Sequence, residues 1–182
     1  MKKRISALLL ALAAALLSGC GGAEGAADLM RGVQPKAVSV HVDPTGPEAA
    51  AAAEFSVELL QNSAASGENT LLSPVSVLCA LAMTANGARG GTLAQMEEVF
   101  GASLPELNRF LGAYLGGLLS AKNTQLRLAN SIWLRDDDTL KVERSFLQSN
   151  ADYYGAAAYR APFDGGTLKA VNGWVRDCTD GQ

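Results

Sequence analysis

Groups able to do covalent chemistry are few in this chain. Cys20, Cys79, Cys178 and the single histidine, His41, are the main ones among 182 residues. Ser73 could act as a nucleophile, but a serine needs a base beside it. His41 lies far upstream, in a stretch with no regular pattern. Ser73 is also accounted for by its place before Pro74, where a serine caps free amides and proline begins a helix without losing a hydrogen bond. No catalytic residue is assigned. Gly87-Ala88-Arg89-Gly90-Gly91-Thr92 has the glycines of a phosphate loop, but it lacks the lysine-serine ending and follows a helix pattern instead of a strand. Asp136, Asp137 and Asp138 are without calcium-loop spacing and read as a solvated turn. One histidine and no paired cysteine spacing give no metal site, and no cofactor is implied. Acidic residues are too plentiful for their count to identify a glycosidase pair. Cys79 sits in an apolar helix pattern and reads as a small buried hydrophobe. A 79–178 disulfide stays open in an oxidising compartment, although two cysteines are no framework.

Cys20 has the most specific surroundings. Lys2, Lys3 and Arg4 precede the apolar run 5–17, which is the length of an export signal and short for a membrane span. Leu17-Ser18-Gly19-Cys20 resembles the lipobox of bacterial lipoproteins, in which cleavage leaves a cysteine that carries lipid. Thioether formation needs a nucleophilic sulfur, and acyl chains contribute roughly 0.8 kcal/mol per buried CH2, so two or more hold a protein at a membrane. The expected organisation is a signal peptide at 1–19, a lipid-anchored tether and loose leader at 20–47, and a partial domain at 48–182. Removal of the signal leaves twelve basic against eighteen acidic residues, a formal charge of −6. That balance argues against a nucleic-acid partner. The location is extracytoplasmic, on the bacterial cell envelope, with release to the extracellular space as a variant.

The elements that must carry these residues follow from periodicity. Residues 48–60 form an alanine-rich helix with Ala52, Phe55 and Leu59 on one face, joined by Ala51. A short extended stretch, 69–72, precedes a helix from Ser73 that should be buried on most sides and end at Asn86 or Gly87 in a left-handed cap. Thr92 and Gln95 have capping-box spacing before Leu93, Met96 and Val99. Ser103 and Glu106 repeat it before a helix over 104–119 with Leu107, Phe110, Leu111, Tyr114 and Leu118 as its stripe. Residues 125–134 read as a strand, 142–149 as a short helix and 155–159 as a weak strand. A last helix carries Leu168, Val171, Trp174, Val175 and Cys178. The class is α+β. One long and one weak strand cannot make an independent sheet, so a partial domain is expected.

Several blocks, in this order, resemble the serpin family. They are Asn69-x-x-Leu72-Ser73-Pro74-x-Ser76, Ala80-Leu81-Ala82-Met83, Gly87-Ala88-Arg89-Gly90-x-Thr92-x-x-Gln95-Met96, Leu128-Ala129-Asn130-Ser131-Ile132-Trp133, Phe146-Leu147, Tyr153-Tyr154-Gly155-Ala156 and Val171-Asn172-Gly173-Trp174-Val175-x-x-x-Thr179-x-Gly181. Each is modest alone; their order and spacing make the set specific. The resemblance covers 54–182, the amino-terminal half of a serpin domain. Leu72 stands where phenylalanine is usual and Gln182 where lysine is common.

The resemblance implies an incomplete serpin fold. The 73–85 helix would lie beneath the main sheet, 126–134 would be one of the sheet's strands, and 168–178 would cross its front. Ser73 and Ser76 would belong to the region where the sheet opens, with Asn172 and Thr179 on the front helix and its exit. Family inhibitors bait a serine or cysteine protease with a reactive loop, which after cleavage inserts into the sheet and drags the acyl-enzyme with it. No reactive-site residue is expected in these 182 residues, so trapping would be the work of a longer parent. The alternatives are a non-inhibitory serpin-like binding protein and a truncated, nonfunctional product or incomplete sequence; a hydrolase is a distant fourth.

Overall fold

The computed structural model describes residues 25–38, 43–64, 67–119 and 128–179. Along these the chain forms β1 (Ala27–Asp28), α1 (Pro47–Ser63), α2 (Pro74–Ala85), α3 (Gly90–Phe100), α4 (Leu104–Leu119), β2 (Ser131–Arg135), α5 (Arg144–Tyr154), β3 (Ala157–Ala161) and α6 (Gly165–Cys178). This is the α+β arrangement of a helical layer and an open three-stranded sheet. Cys20, His41 and the first part of the 125–134 strand pattern lie outside the described residues.

Two helix starts depend on proline. Pro47 and Pro74 both stand in the first turn of α1 and α2, where the missing N–H costs nothing. Ser73 precedes α2 as expected, but its side chain makes no capping bond to the helix. Asn86 closes α2 in a right-handed conformation, and Gly87 is not left-handed either. Gly87 is required instead by a close approach, since a Cβ there would sit 3.3 Å from the Phe146 ring. α3 begins two residues before Thr92, with Arg89 at its N-cap and no side-chain cap, so the Thr92–Gln95 box is not formed. Gly101 ends α3 at φ 66°, a conformation that favours glycine.

The helical layer packs around one core. Phe55, Leu78, Cys79, Ala82, Met83, Phe100, Leu107 and Leu111 are buried in it, with Tyr154 and Ala156 closing the side toward the sheet. Phe100, not Val99, is the buried residue at the end of α3; Val99 is exposed. In α4 the buried seam is Leu104, Leu107, Asn108, Leu111 and Leu115, rotated from the expected stripe, and Tyr114 is exposed. α2 is not enclosed all round: Ser76, Ala80 and Thr84 recur every four residues on an exposed face.

β2 and β3 are parallel and paired in simple register, Ser131 with Ala157 through Arg135 with Ala161. Parallel neighbours need a crossover, and α5 supplies it. α5 is longer than the 142–149 helix expected, and Gly155 is its left-handed C-cap, not the first residue of a strand. The sheet order is β1-β3-β2. Trp133, Ala157 and Tyr159 face α6, where they meet Ala170, Trp174 and Cys178. Ile132 and Ala158 face the other way, against Val33, Leu147 and Ala151. This alternation is the two-residue period of a pleated strand.

The leader departs most from the sequence reading. Residues 25–38 are seated on the body, not loose. β1 pairs antiparallel with β3, Ala27 opposite Arg160 and Asp28 opposite Tyr159. Val33 is buried against α5, and the Lys36 amide donates to Asp152 at 2.7 Å. The 69–72 stretch, by contrast, forms no strand, and Leu71 is fully exposed.

Candidate functional site

Two pairs of polar residues were expected to mark the region where the sheet opens. Ser73 and Ser76 come together: their hydroxyl oxygens are 2.8 Å apart across the first turn of α2. The Ser73 hydroxyl is spent on Ser76 instead of on the helix amides. Both serines are exposed, and neither has a histidine or carboxylate among its hydrogen-bond partners. The second pair lies in another layer. Asn172 is exposed on α6. Thr179 is the C-cap, and its hydroxyl donates to the Val175 carbonyl at 2.8 Å.

α6 is fixed on the sheet by a capping box that the sequence reading did not identify. Asp164 accepts from the amides of Gly166 at 2.8 Å and Thr167 at 3.0 Å. The Thr167 hydroxyl in turn accepts from the amides of Phe163 and Asp164. The bond from the Thr167 amide, then that from Gly166, holds the Asp164 carboxyl below the usual carboxylate range. The residue before the cap, Phe163, has φ 62° and is half exposed, with the Arg135 guanidinium 5.9 Å from its ring centre. The spacing Asp164–Thr167 was the signal that could have found this cap.

A buried amide cluster between α2, α4 and α5 was also missed. Asn108 donates to Asn86 at 2.9 Å, Asn86 reaches the Asn150 side chain at 3.3 Å, and Asn150 donates to the Phe146 carbonyl at 3.0 Å. The Tyr154 hydroxyl donates to Asn108. Asn130, just ahead of β2, donates to the Tyr154 carbonyl at 3.0 Å and so ties sheet to helices. Burial raises the Tyr154 phenol well above its ordinary value, with smaller contributions from Cys79 and Tyr153. The signal was present: Asn108 falls on the Leu104–Leu107–Leu111 face, and Asn150 on the Leu147–Ala151–Tyr154 face.

Cys79 is free and buried, so the 79–178 disulfide is not formed. Burial pushes its thiol up to about 11, which makes it a poor nucleophile. An apolar cavity of about 260 Å³ between α1, α2 and α4 is lined by Ala52, Ser56, Val75, Leu78, Phe110 and Tyr114. Its lining has hydroxyls and no acid–base pair. The geometry is therefore a scaffold: hydroxyls at a helix corner, an amide cluster joining three helices, and a sheet with a capped helix across one face.

Comparison with known proteins gives this scaffold a family. The family model described as Serpin (serine protease inhibitor) matches residues 50–182. Corticosteroid-binding globulin of Ovis aries is 31% identical over 137 residues, 71% of this chain and 32% of the globulin. The serpin-like protein TK1782 of Thermococcus kodakarensis is 31% identical over 137 residues, 70% of this chain and 31% of its own length. Among solved structures, the thermophilic serpin tengpin in its native state has a TM-score of 0.77 at 41% identity, covering 86% of this chain and 41% of tengpin. Its latent state gives 0.69 at 41% identity, covering 78% and 39%. The chain spans about a third of the length of the curated relatives it matches. It belongs to the serpin family, with an incomplete serpin fold, and is not an enzyme.

Proposed function

We propose that residues 48–182 are a serpin-like scaffold that binds a partner without trapping it. The observation that carries this reading is the sheet. β2 has β3 on one side and no strand on the other among the described residues, and no reactive loop is recognised in the 182 residues. Covalent trapping needs a cleavable loop and a sheet able to take it in as a strand. A serine or cysteine protease is thus a partner for trapping only in a longer parent. That second reading is favoured by the exposed Ser73–Ser76 corner and by Asn172 and Thr179, which fit a sheet-opening role. The anchor belongs to the same proposal: Cys20 carries lipid and holds the protein on the outer side of the cell envelope.

The two readings separate in one experiment. The polypeptide of 182 residues and the protein isolated from its own cells are each incubated with serine and cysteine proteases and run under denaturing conditions. No covalent adduct is expected from the 182 residues. An adduct from the isolated protein, with peptides beyond Gln182, would replace the scaffold reading by the inhibitor reading. Intact mass of the same isolate reports whether Cys20 is acylated.

A further inference from the structure

The cysteines differ in state. Cys178, the last residue of α6, is held in a disulfide. Cys79 is free and 1% exposed, sealed in the helical core. The chain has three cysteines, so Cys20 is the partner that remains. Cys20 itself lies outside the described residues, but the segment it leads into does not. Ala26 packs against Tyr159, Ala170, Trp174 and Cys178, the cluster that contains the bonded sulfur. Five residues separate Cys20 from Ala26, a reach of about 20 Å at full extension. A disulfide needs Cα atoms roughly 4.4–6.8 Å apart, which that reach covers. Beyond Ala26 the leader stays seated. Leu29 donates its amide to Ala158 at 2.9 Å, Arg144 donates to the Gly32 carbonyl at 2.8 Å, and Val33 packs against Leu147, Ala151 and Ala158.

We infer that Cys20 and Cys178 form a disulfide in the unacylated chain, a covalent latch that ties the start of the leader to the end of α6. It forms by thiol–disulfide exchange with a disulfide-bearing oxidant of an oxidising compartment. Each thiol gives up its proton and a sulfur–sulfur bond joins the two residues. The oxidant's own disulfide takes the two electrons and leaves as two thiols. Cys79 does not compete, because the core encloses it. A sulfur in this bond has no thiol left for a thioether, so disulfide and lipid exclude each other at Cys20. Lipid marks the anchored form and the latch marks the released one. The latch is independent of the scaffold reading of residues 48–182.

The test uses the 182-residue chain, produced without acylation and folded in a glutathione redox buffer. Its thiols are alkylated after denaturation, without reduction. One alkylated cysteine, Cys79, is expected in the natural sequence, and two in each of Cys20→Ser and Cys178→Ser. Tryptic digestion should yield residues 5–31 joined to 177–182, a pair that separates on reduction. Reduction should also lower the urea midpoint of the natural chain and leave that of Cys178→Ser unchanged, since a cross-link acts by restricting the unfolded chain. Three alkylated cysteines would overturn the latch, and so would a link from Cys20 to Cys79 or to Cys20 of a second chain. In protein isolated from its own cells, the 20–178 link is expected in the soluble fraction alone. Its absence there, with both sulfurs found as thiols, would overturn the released form and leave the scaffold reading standing.

Discussion

Asn108 occupies a position that its neighbours Leu104, Leu107 and Leu111 mark as core. An amide survives there because every strong hydrogen-bonding partner is supplied: Asn86 from α2 and Tyr154 from α5. Losing a partner is costlier than losing a bond, since a stranded buried group keeps its desolvation penalty. Tyr154→Phe removes the hydroxyl and leaves Asn108 still bonded to Asn86, and it should lower stability by about 1 kcal/mol. Asn108→Ala takes the acceptor from the Tyr154 hydroxyl and the donor from the Asn86 Oδ1, while the Asn86 Nδ2 keeps its bond to Asn150, and it should cost about 2–3 kcal/mol. Urea unfolding of the two variants checks the order; equal losses would mean the amide cluster is not the reason Asn108 is buried. At this scale the sequence was partly legible. The place of Ser73 before Pro74 was read correctly, but the partner of its hydroxyl was not, because an N-cap serine and a serine bonded to Ser76 have the same spacing.

Elements were easier to find than their facing. Every described helix had a sequence signal. The buried sides of α4 and α6 were misjudged because hydrophobicity was counted and closeness was not. α6 buries Thr167 and Ala170 beside Trp174 and Cys178 and leaves Leu168 and Val175 exposed. Thr167 is tolerated there because the capping box satisfies its hydroxyl, and Ala170 is small enough to let the helix approach the sheet. The glycines of α4 illustrate the same point. A Cβ on Gly112 would meet the Tyr153 ring at 3.2 Å and the Tyr153 carbonyl at 3.3 Å, so this glycine permits the α4–α5 contact. A Cβ on Gly116 meets nothing within 4 Å. Gly112→Ala should therefore destabilise by roughly 1–3 kcal/mol through overpacking. Gly116→Ala should stabilise by about 0.5–1 kcal/mol through helix propensity and a less free unfolded chain. Opposite shifts of Tm are expected; a stabilised Gly112→Ala would show that α4 and α5 can part without loss.

For the whole molecule, the two edges of the sheet differ. β1 covers the outer edge of β3, an arrangement that composition alone could not reveal because Ala27 and Asp28 carry no strand signal. The outer edge of β2 has no strand beside it among the described residues, and Ile132, Trp133 and Leu134 make it apolar. Leu168, at 63% exposure, and Val175, at 41%, add apolar surface on α6. Unpaired strand edges template pairing with other chains, and contiguous apolar surface adds to the drive. A polypeptide of these 182 residues should thus self-associate, with an apparent mass in light scattering that rises with concentration. Leu134→Lys places a charge on the open edge and should reduce association while leaving the far-UV CD spectrum unchanged. Association that persists in Leu134→Lys but disappears when Leu168 and Val175 are both made Glu would place the contact on α6 and not on the strand. A monomer at every concentration, melting in one cooperative step, would mean that the three-stranded sheet and its helices are complete as a folding unit, and the partial-domain reading would fall with the edge argument.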